Sequence, residues 1–217
     1  MSERAREAIT STHPHLANIV GEIGTLRLCR RRKFSIPEAV SRTVISQMLS
    51  ATSAKTMRDR AAQMAAAQSL EGISALSYGS LRKCGLSKVK AKTITQFAEA
   101  YGSEPSRYEA WRTHPKEILF AEVNKLFGLS NWSASILGIF YFGNPDIFPE
   151  NDGSIRRAVE LLARCVSVSK GTAIVRTELC QPYRSYLALY LWRMLDDGIL
   201  ARESNMVAEK NVHSRKS

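Results

Sequence analysis

The chain has 217 residues, of which 44% are hydrophobic, and its 31 lysines and arginines outnumber 20 acidic residues, giving a formal net charge of +11. This hydrophobic content is sufficient to bury a full core, which argues against an intrinsically disordered protein. No stretch approaches the roughly 20 apolar residues that span a bilayer, and the first residues contain no apolar signal core, so no membrane association is expected. The strong positive charge indicates a polyanionic partner.

The four cysteines, Cys29, Cys84, Cys165 and Cys180, are widely separated in the sequence. They form no closely spaced pair of the kind that zinc and iron–sulfur sites use, so the sequence predicts four free thiols. Free thiols persist in a reducing compartment. We therefore expect a cytoplasmic, nucleoid-associated protein or a nuclear one.

Apolar residues recur at helical spacing along almost every long segment, and strand-like runs bounded by hairpin dipeptides are missing, which predicts an all-α protein. The predicted helices cover residues 14–23, 35–49, 52–67, 73–76, 78–84, 87–98, 115–126, 131–141, 154–165, 171–179 and 182–197. Residues 205–217 are polar and basic and are predicted to form a mobile tail.

The most informative segment extends from Leu126 to Arg157. Gly128 ends one predicted helix and Ser130 begins the next, so the backbone N–H groups between them would open a helix and point at an anion. This arrangement would bind a nucleic-acid backbone. Asp152 follows the second helix at a position where a helix cap is expected, and from this motif alone a plain cap is the commoner explanation.

Four segments, in this order, resemble the helix–hairpin–helix (HhH-GPD) DNA glycosylases, and within them the 3-methyladenine DNA glycosylase II branch. They are residues 44–50, residues 85–91, residues 126–134 with 148–157, and residues 182–185 with Trp192. A lone helix–hairpin–helix occurs in many DNA-binding proteins that are not enzymes, whereas four segments in the right order are specific. The resemblance covers about residues 17–193.

The resemblance implies a two-lobed helical fold with the active-site cleft between the lobes. Residues 38–145 would form a middle lobe, and residues 1–37 with 146–204 a second lobe. The implied substrate is double-stranded DNA with a damaged base, and a monomer is expected. No required cofactor, metal or iron–sulfur cluster is implied, although relatives commonly hold a monovalent cation with carbonyls of the hairpin turn.

The resemblance also assigns a role to individual residues. Asp152 is implied as the catalytic carboxylate, which would stabilise the oxocarbenium character of the sugar at C1′. Trp132 stands where lyase-active relatives carry a lysine that forms a Schiff base, so hydrolysis without strand cleavage is implied, leaving an abasic site. The other implied roles are a base pocket of Trp132, Ile136 and Trp192, a wedge of Gln47 and Met48, and DNA backbone contacts from Gly128, Ser130, Lys88 and Lys90.

Alternatives remain open at this stage. Ile136 stands where relatives often have an aromatic residue, so the same fold acting on a mismatched or oxidised base is an alternative to excision of an alkylated purine. Met48 and Trp192 would also fit a hydrophobic core. A helix–hairpin–helix protein that binds DNA without catalysis is a third interpretation, and the presence of Asp152 argues against it.

Overall fold

The computed structural model describes residues 1–28, 33–165 and 175–203. Within these ranges the secondary structure is helical and contains no β-strand, which confirms the predicted all-α class. None of the helices in the described ranges is both long and apolar enough to cross a bilayer. The predicted tail at 205–217 lies outside the described residues.

The α-helices with both ends described are, in chain order, α1 (Ser2–Thr12), α2 (Ala17–Ile23), α3 (Ile36–Ser46), α4 (Ala51–Ala67), α5 (Tyr78–Lys83), α6 (Lys88–Ser103), α7 (Pro105–Glu109), α8 (Lys116–Asn124), α9 (Asn131–Ile136), α10 (Gly153–Cys165) and α11 (Arg184–Asp196). A π-helical segment, Leu137–Phe142, continues α9. Short 3₁₀ turns occupy Pro14–Leu16, Ile73–Ala75, Ala110–Arg112 and Thr177–Cys180.

The chain divides into two compact units, with boundaries after Leu28 and after Gly143. The described residues 33–143 form the central unit, and residues 1–28, 144–165 and 175–203 form the discontinuous unit. The segment before α3, which the sequence-based division placed in the other lobe, groups with the central unit. Its Ile36 is fully buried in the central core, and Phe34 packs against that core.

The central unit is built around α3. Val40, Val44 and Ile45 of this helix are fully buried, together with Ile94 of α6 and Trp111. Fully burying an aliphatic side chain of this size contributes roughly 1.5–3 kcal/mol. The packing of α3 against α6 therefore fixes where the C-terminal end of α3 lies.

In the discontinuous unit, segments distant in sequence share a core. Ile9 and Val20 come from the N-terminal helices, Leu162 comes from α10, and Leu187 and Leu191 come from α11. Since α10 and α11 supply most of this core, the start of α10 is held beside α11.

Several helix ends follow local signals in the sequence. Ser35 and Ser87 cap α3 and α6, because each serine oxygen accepts a hydrogen bond from the backbone N–H three residues later. Such a cap contributes about 1 kcal/mol. Ser50 caps α4, so this helix begins one residue before its predicted range of 52–67. Gly85 has a φ of +98° and ends α5, as glycine commonly does in this left-handed conformation.

Some helices differ from their predicted ranges. Helix α1 was missed because only Ala5 and Ile9 of its residues are buried, which leaves little apolar periodicity. Helix α3 ends at Ser46 rather than near residue 49. The predicted helix at 171–179 begins outside the described residues, and its described end is the 3₁₀ turn at Thr177–Cys180.

Candidate active site and nucleic-acid interface

The hairpin turn between α8 and α9 lies directly against α6. Gly128 has a φ of +73°, and a Cβ atom added to it would lie 2.0 Å from Oγ1 and 3.1 Å from Cβ of Thr93, a buried residue of α6. Only glycine fits both this backbone conformation and this close approach. The hairpin is therefore fixed in position by its contact with α6.

Ser130 precedes α9 in an extended conformation, with φ −151° and ψ 178°, and is exposed. Its side chain makes no cap hydrogen bond to α9. The first N–H groups of a helix have no partner within the helix and attract anions. The predicted contact of Gly128 and Ser130 with a DNA phosphate is compatible with this geometry.

Met48 projects from a strained turn after α3. Its backbone φ is +56°, and the residue is 99% exposed. A left-handed conformation costs a residue with a Cβ atom roughly 1–2 kcal/mol. The alternative in which Met48 belongs to the core is excluded, and its exposure is compatible with insertion into a base stack.

Gln47 is placed differently from its neighbour, although both were predicted to form the wedge. Its Nε2 donates to the carbonyl oxygen of Gly128 at 2.9 Å and to Oγ of Ser133 at 3.1 Å. The Gln47 side chain therefore ties the turn after α3 to the hairpin, and it does not project with Met48.

Lys90 also differs from its predicted role as a DNA backbone contact. Its Nζ donates to the carbonyl oxygen of Ile45 at 2.9 Å and to that of Gln47 at 2.7 Å. The side chain is partly buried, and this burial lowers the pKa of Lys90. Lys88, the first residue of α6, is exposed and stays a candidate for a phosphate contact.

Phe127 is a candidate contact residue that the sequence analysis missed. It precedes Gly128 in the hairpin, is 50% exposed, and its ring centroid lies 4.8 Å from Nζ of Lys92. An exposed aromatic ring beside a cation makes more favourable contacts with the sugars and bases of DNA than with water. The sequence feature that could have identified Phe127 is its position as an aromatic residue immediately before the turn glycine.

The predicted pocket residues of the central unit share one face of a helix. Trp132 and Ile136 are four residues apart on α9, and both are partly buried. Ile136 packs against the central core. The helix then widens into the π-helical segment at Leu137–Phe142, a feature often found at functional sites.

Asp152 stands at the N-terminus of α10 and is only 7% exposed. Its Oδ1 accepts a hydrogen bond from the backbone N–H of Ile155 at 2.9 Å. The same oxygen accepts a second hydrogen bond from Nε1 of Trp192 at 3.0 Å. Asp152 is thus a helix cap whose carboxylate is also held by a side chain from α11.

Trp192 fills one of the two roles that its sequence allowed, that of a residue packed against a hydrophobic core. The ring is partly buried against the core of the discontinuous unit, and its N–H is directed at Asp152. Stacking of its face on an extruded base stays a prediction. Its hydrogen bond to Asp152 had no signal in the sequence, because the two residues are 40 positions apart.

An ion pair anchors the chain between Gly143 and the loop that carries Asp152. Arg184 binds Asp146 with two parallel hydrogen bonds, from Nε at 2.8 Å and from Nη2 at 2.7 Å. The neighbouring Ser185 accepts from the N–H of Ile147 and donates to the carbonyl oxygen of Asn144. These contacts join the segment before the Asp152 loop to the first turn of α11.

The described cysteines are consistent with the expectation of free thiols. Cys84, Cys165 and Cys180 form no disulfide, and Cys29 lies outside the described residues. Among the residues with described positions, no group of three histidine, cysteine, aspartate or glutamate side chains could hold a metal ion.

The family of this chain follows from its match to a family model. The model of the HhH-GPD superfamily base excision DNA repair proteins matches residues 41–182, which is well over half of the chain. This chain belongs to the HhH-GPD superfamily. The matched span contains the Gly128 hairpin and Asp152, so the family predicted from the four segments is confirmed.

Two curated proteins of Schizosaccharomyces pombe are similar in sequence to this HhH-GPD protein. DNA-3-methyladenine glycosylase 1 is 27% identical over 86% of this chain and 87% of its own length. An alkylbase DNA glycosidase-like protein is 24% identical over 88% of this chain and 93% of its own length.

Solved structures support the same fold. The 3-methyladenine DNA glycosylase of Schizosaccharomyces pombe, solved in complex with abasic DNA, superposes with a TM-score of 0.75 and 25% identity, covering 88% of this chain and 96% of that chain. A DNA-3-methyladenine glycosidase from Bacillus halodurans superposes with a TM-score of 0.66 and 20% identity, covering 88% of each chain. The second likeness concerns the fold alone.

Proposed function

We propose that this HhH-GPD protein is a monofunctional DNA glycosylase that extrudes an alkylated purine and hydrolyses its N-glycosidic bond, leaving an abasic site for base-excision repair. The observation that carries the proposal is the placement of Asp152. One oxygen of this buried carboxylate is held by the N-terminus of α10 and by the indole N–H of Trp192.

The chemistry of the bond explains why a fixed carboxylate is needed. As the base departs, positive charge develops at C1′, and a carboxylate held beside that carbon stabilises the transition state. Donors that already occupy Oδ1 fix the orientation of the group before the substrate arrives. The carboxylate then needs little reorganisation during the reaction, which is the source of its catalytic advantage.

Trp132 supports hydrolysis over a lyase reaction. A glycosylase that also cuts the strand uses an amine to attack C1′ and form a Schiff base, and an indole cannot do this. We propose that water is the nucleophile and that the product is an intact strand with an abasic site.

The hairpin and the turn after α3 support binding and extrusion of the nucleotide. A flipped base leaves a gap in the stack, which an apolar side chain fills. The fully exposed Met48 is the proposed wedge, since a flexible thioether adapts to the space between bases. Gly128 and Ser130 would bind a phosphate with backbone N–H groups, and Lys88 would contribute charge.

An alkylated purine is the proposed substrate for two reasons. Both curated relatives carry names that refer to alkylated bases, and one is named for 3-methyladenine. The π face of a tryptophan such as Trp132 attracts an alkylated, cationic purine more strongly than a neutral one. Ile136 leaves more room than an aromatic residue would, so a mismatched or oxidised base is the alternative substrate.

The hairpin turn is compatible with a monovalent cation bound by backbone oxygens. The carbonyl oxygens of Leu126 and Gly128 each accept one hydrogen bond, from the N–H of Leu129 and from Gln47, and each has a second lone pair. Such a cation would add positive charge beside the phosphate.

We further propose that the protein acts as a monomer, on the DNA of a cytoplasm or nucleus.

A panel of duplexes that each carry one defined lesion tests the substrate. The panel comprises 3-methyladenine, 7-methylguanine, hypoxanthine, 8-oxoguanine and a normal mismatch, and base release is measured under single-turnover conditions. We expect fastest release of a methylated purine. Fastest release of 8-oxoguanine or of a mismatched base would show that the alternative substrate is the correct one. Release of a base from none of the duplexes would refute the proposed glycosylase activity.

A further inference from the structure

Lys90 occupies an unusual place for a lysine in a basic segment. It lies between the exposed Lys88 and Lys92 in sequence, yet its own side chain is partly buried. Its Nζ binds two carbonyl oxygens at the C-terminal end of α3, those of Ile45 and Gln47, at 2.9 and 2.7 Å. The last carbonyls of a helix have no partner within the helix, and Lys90 supplies one.

These carbonyls flank the strained turn that carries Met48. The oxygen of Gln47 belongs to the peptide unit that joins Gln47 to Met48, whose φ is +56°. Met48 is 99% exposed, so its side chain gains no packing energy that could hold this conformation. The left-handed backbone must be held by neighbouring groups, since it costs roughly 1–2 kcal/mol.

Two side chains provide that support. Lys90 binds the turn from α6, and Gln47 binds the hairpin through Gly128 and Ser133. The hairpin itself is fixed to α6 by the close approach of Gly128 to Thr93. Helix α6 is thus the common base for both the hairpin and the turn.

We propose that Lys90 is a positioning residue that holds Met48 ready for insertion into the DNA stack, and that it does not bind a phosphate. This inference rests on the proposed function, because it takes Met48 as the wedge. Lys90 acts through the backbone of the turn, whereas the exposed Lys88 is the neighbour that faces the nucleic acid.

The salt dependence of DNA binding separates the two roles of a lysine. A lysine that neutralises one phosphate contributes about 0.9 to the slope of log K against log salt concentration. We expect Lys88→Met to reduce the slope by about this amount. Lys90→Met keeps the aliphatic stem but removes the donor, and it should leave the slope unchanged. A reduction equal to that of the control variant would overturn the proposal.

Base extrusion and excision provide the second readout. At saturating DNA, Lys90→Met should lower both the fluorescence of 2-aminopurine at the flipped position and the single-turnover excision rate, by about 10- to 100-fold for the rate. In the Met48→Ala background the same change should have no further effect, because Lys90 acts through Met48. Independent, multiplicative losses in the double variant would overturn the proposal.

A measurement on the free protein keeps this inference distinct from the proposed function. Backbone ¹⁵N relaxation of residues 46–49 should show increased mobility in Lys90→Met without any DNA present. If wild type releases no base, the proposed function fails while this test of Lys90 still stands. Unchanged mobility would refute the claim that Lys90 stabilises this turn.

A second variant is available if Lys90→Met does not fold. Lys90→Arg keeps hydrogen-bond donors at this position and should excise at nearly the wild-type rate. A loss of more than tenfold would count against the proposal.

Discussion

Trp192 and Asp152 are joined by a hydrogen bond of 3.0 Å between the indole N–H and Oδ1 of the carboxylate. The bond connects α11 to the first turn of α10, where the N–H of Ile155 donates to the same oxygen. A carboxylate that approaches C1′ must be held at a fixed orientation, and these two donors hold it from two elements. We therefore predict that the tryptophan contributes to catalysis beyond any stacking on the base.

The first prediction concerns this hydrogen bond. Trp192→Phe keeps an aromatic ring against the core but removes the N–H, so the carboxylate loses one of its two described donors. We expect single-turnover excision to fall by about 10²-fold, the order of loss seen when one preorganised donor is removed. DNA affinity should change little. An excision rate equal to that of wild type would show that the hydrogen bond from Trp192 is not needed to position Asp152.

The second prediction concerns the nucleophile. Sodium borohydride reduces a Schiff base and so traps a covalent enzyme–DNA adduct in glycosylases with lyase activity. We expect no adduct with this protein, because Trp132 offers no amine. A lyase-active glycosylase of the same superfamily serves as the positive control. Efficient trapping of the wild-type protein would contradict hydrolysis by water.

The third prediction concerns the hairpin glycine. Gly128→Ala forces a Cβ into a left-handed backbone and to within 2.0 Å of Oγ1 of Thr93. We expect a loss of about 2–4 kcal/mol in the free energy of unfolding and weaker DNA binding. Urea denaturation and a binding titration measure the two effects.

Gly102 is the matched control for this variant. It lies in α6, has no heavy atom within 4 Å of an added Cβ, and does not have a positive φ. Gly102→Ala should therefore stabilise the protein by about 0.5–1 kcal/mol and leave DNA binding unchanged. Equal effects of the two alanines would show that the contact with Thr93 is not the cause.

The fourth prediction concerns pH. Burial, with a smaller contribution from His15, lowers the pKa of His13 below its ordinary value of 6.5. Its Nε2 accepts the N–H of Arg176 at 2.9 Å, which requires a neutral ring. Because the folded pKa lies below the unfolded one, the stability from this group is fully present above pH 6.5. It is lost as the pH falls through the folded pKa.

Comparison with a variant isolates this effect from the carboxylates that also titrate in acid. The difference in unfolding free energy between wild type and His13→Gln should shrink as the pH falls from 8 to 5. A difference that stays constant over this range would show that the pKa of His13 is the same in the folded and the unfolded protein.

Features with a local cause could be predicted from the sequence. The caps at Ser35 and Ser87, the left-handed Gly85 and the turn at Gly128 depend on residues within four positions of one another. Helical periodicity was sufficient for the all-α class because the buried positions of α3 and α6 recur every turn. The weak pattern of α1 was insufficient, since most of its residues are polar.

Contacts between distant segments could not be predicted. Lys90 was predicted to contact the DNA backbone, because nothing in the sequence shows that α6 packs against the end of α3. Gln47 was grouped with Met48 because the two are adjacent, whereas the positive φ of Met48 directs their side chains to different places. The bond from Trp192 to Asp152 likewise depends on the packing of α10 against α11.

The central claim is tested most directly by single-turnover base release from a 3-methyladenine duplex with Asp152→Asn. Asparagine is as good a helix cap as aspartate and can still accept the hydrogen bonds of Ile155 and Trp192, so the fold should be preserved. It lacks the negative charge that stabilises the sugar cation. We predict a rate lower by about 10²- to 10³-fold, with DNA binding retained. Equal release by wild type and variant would contradict a catalytic role for Asp152, and with it the enzymatic account.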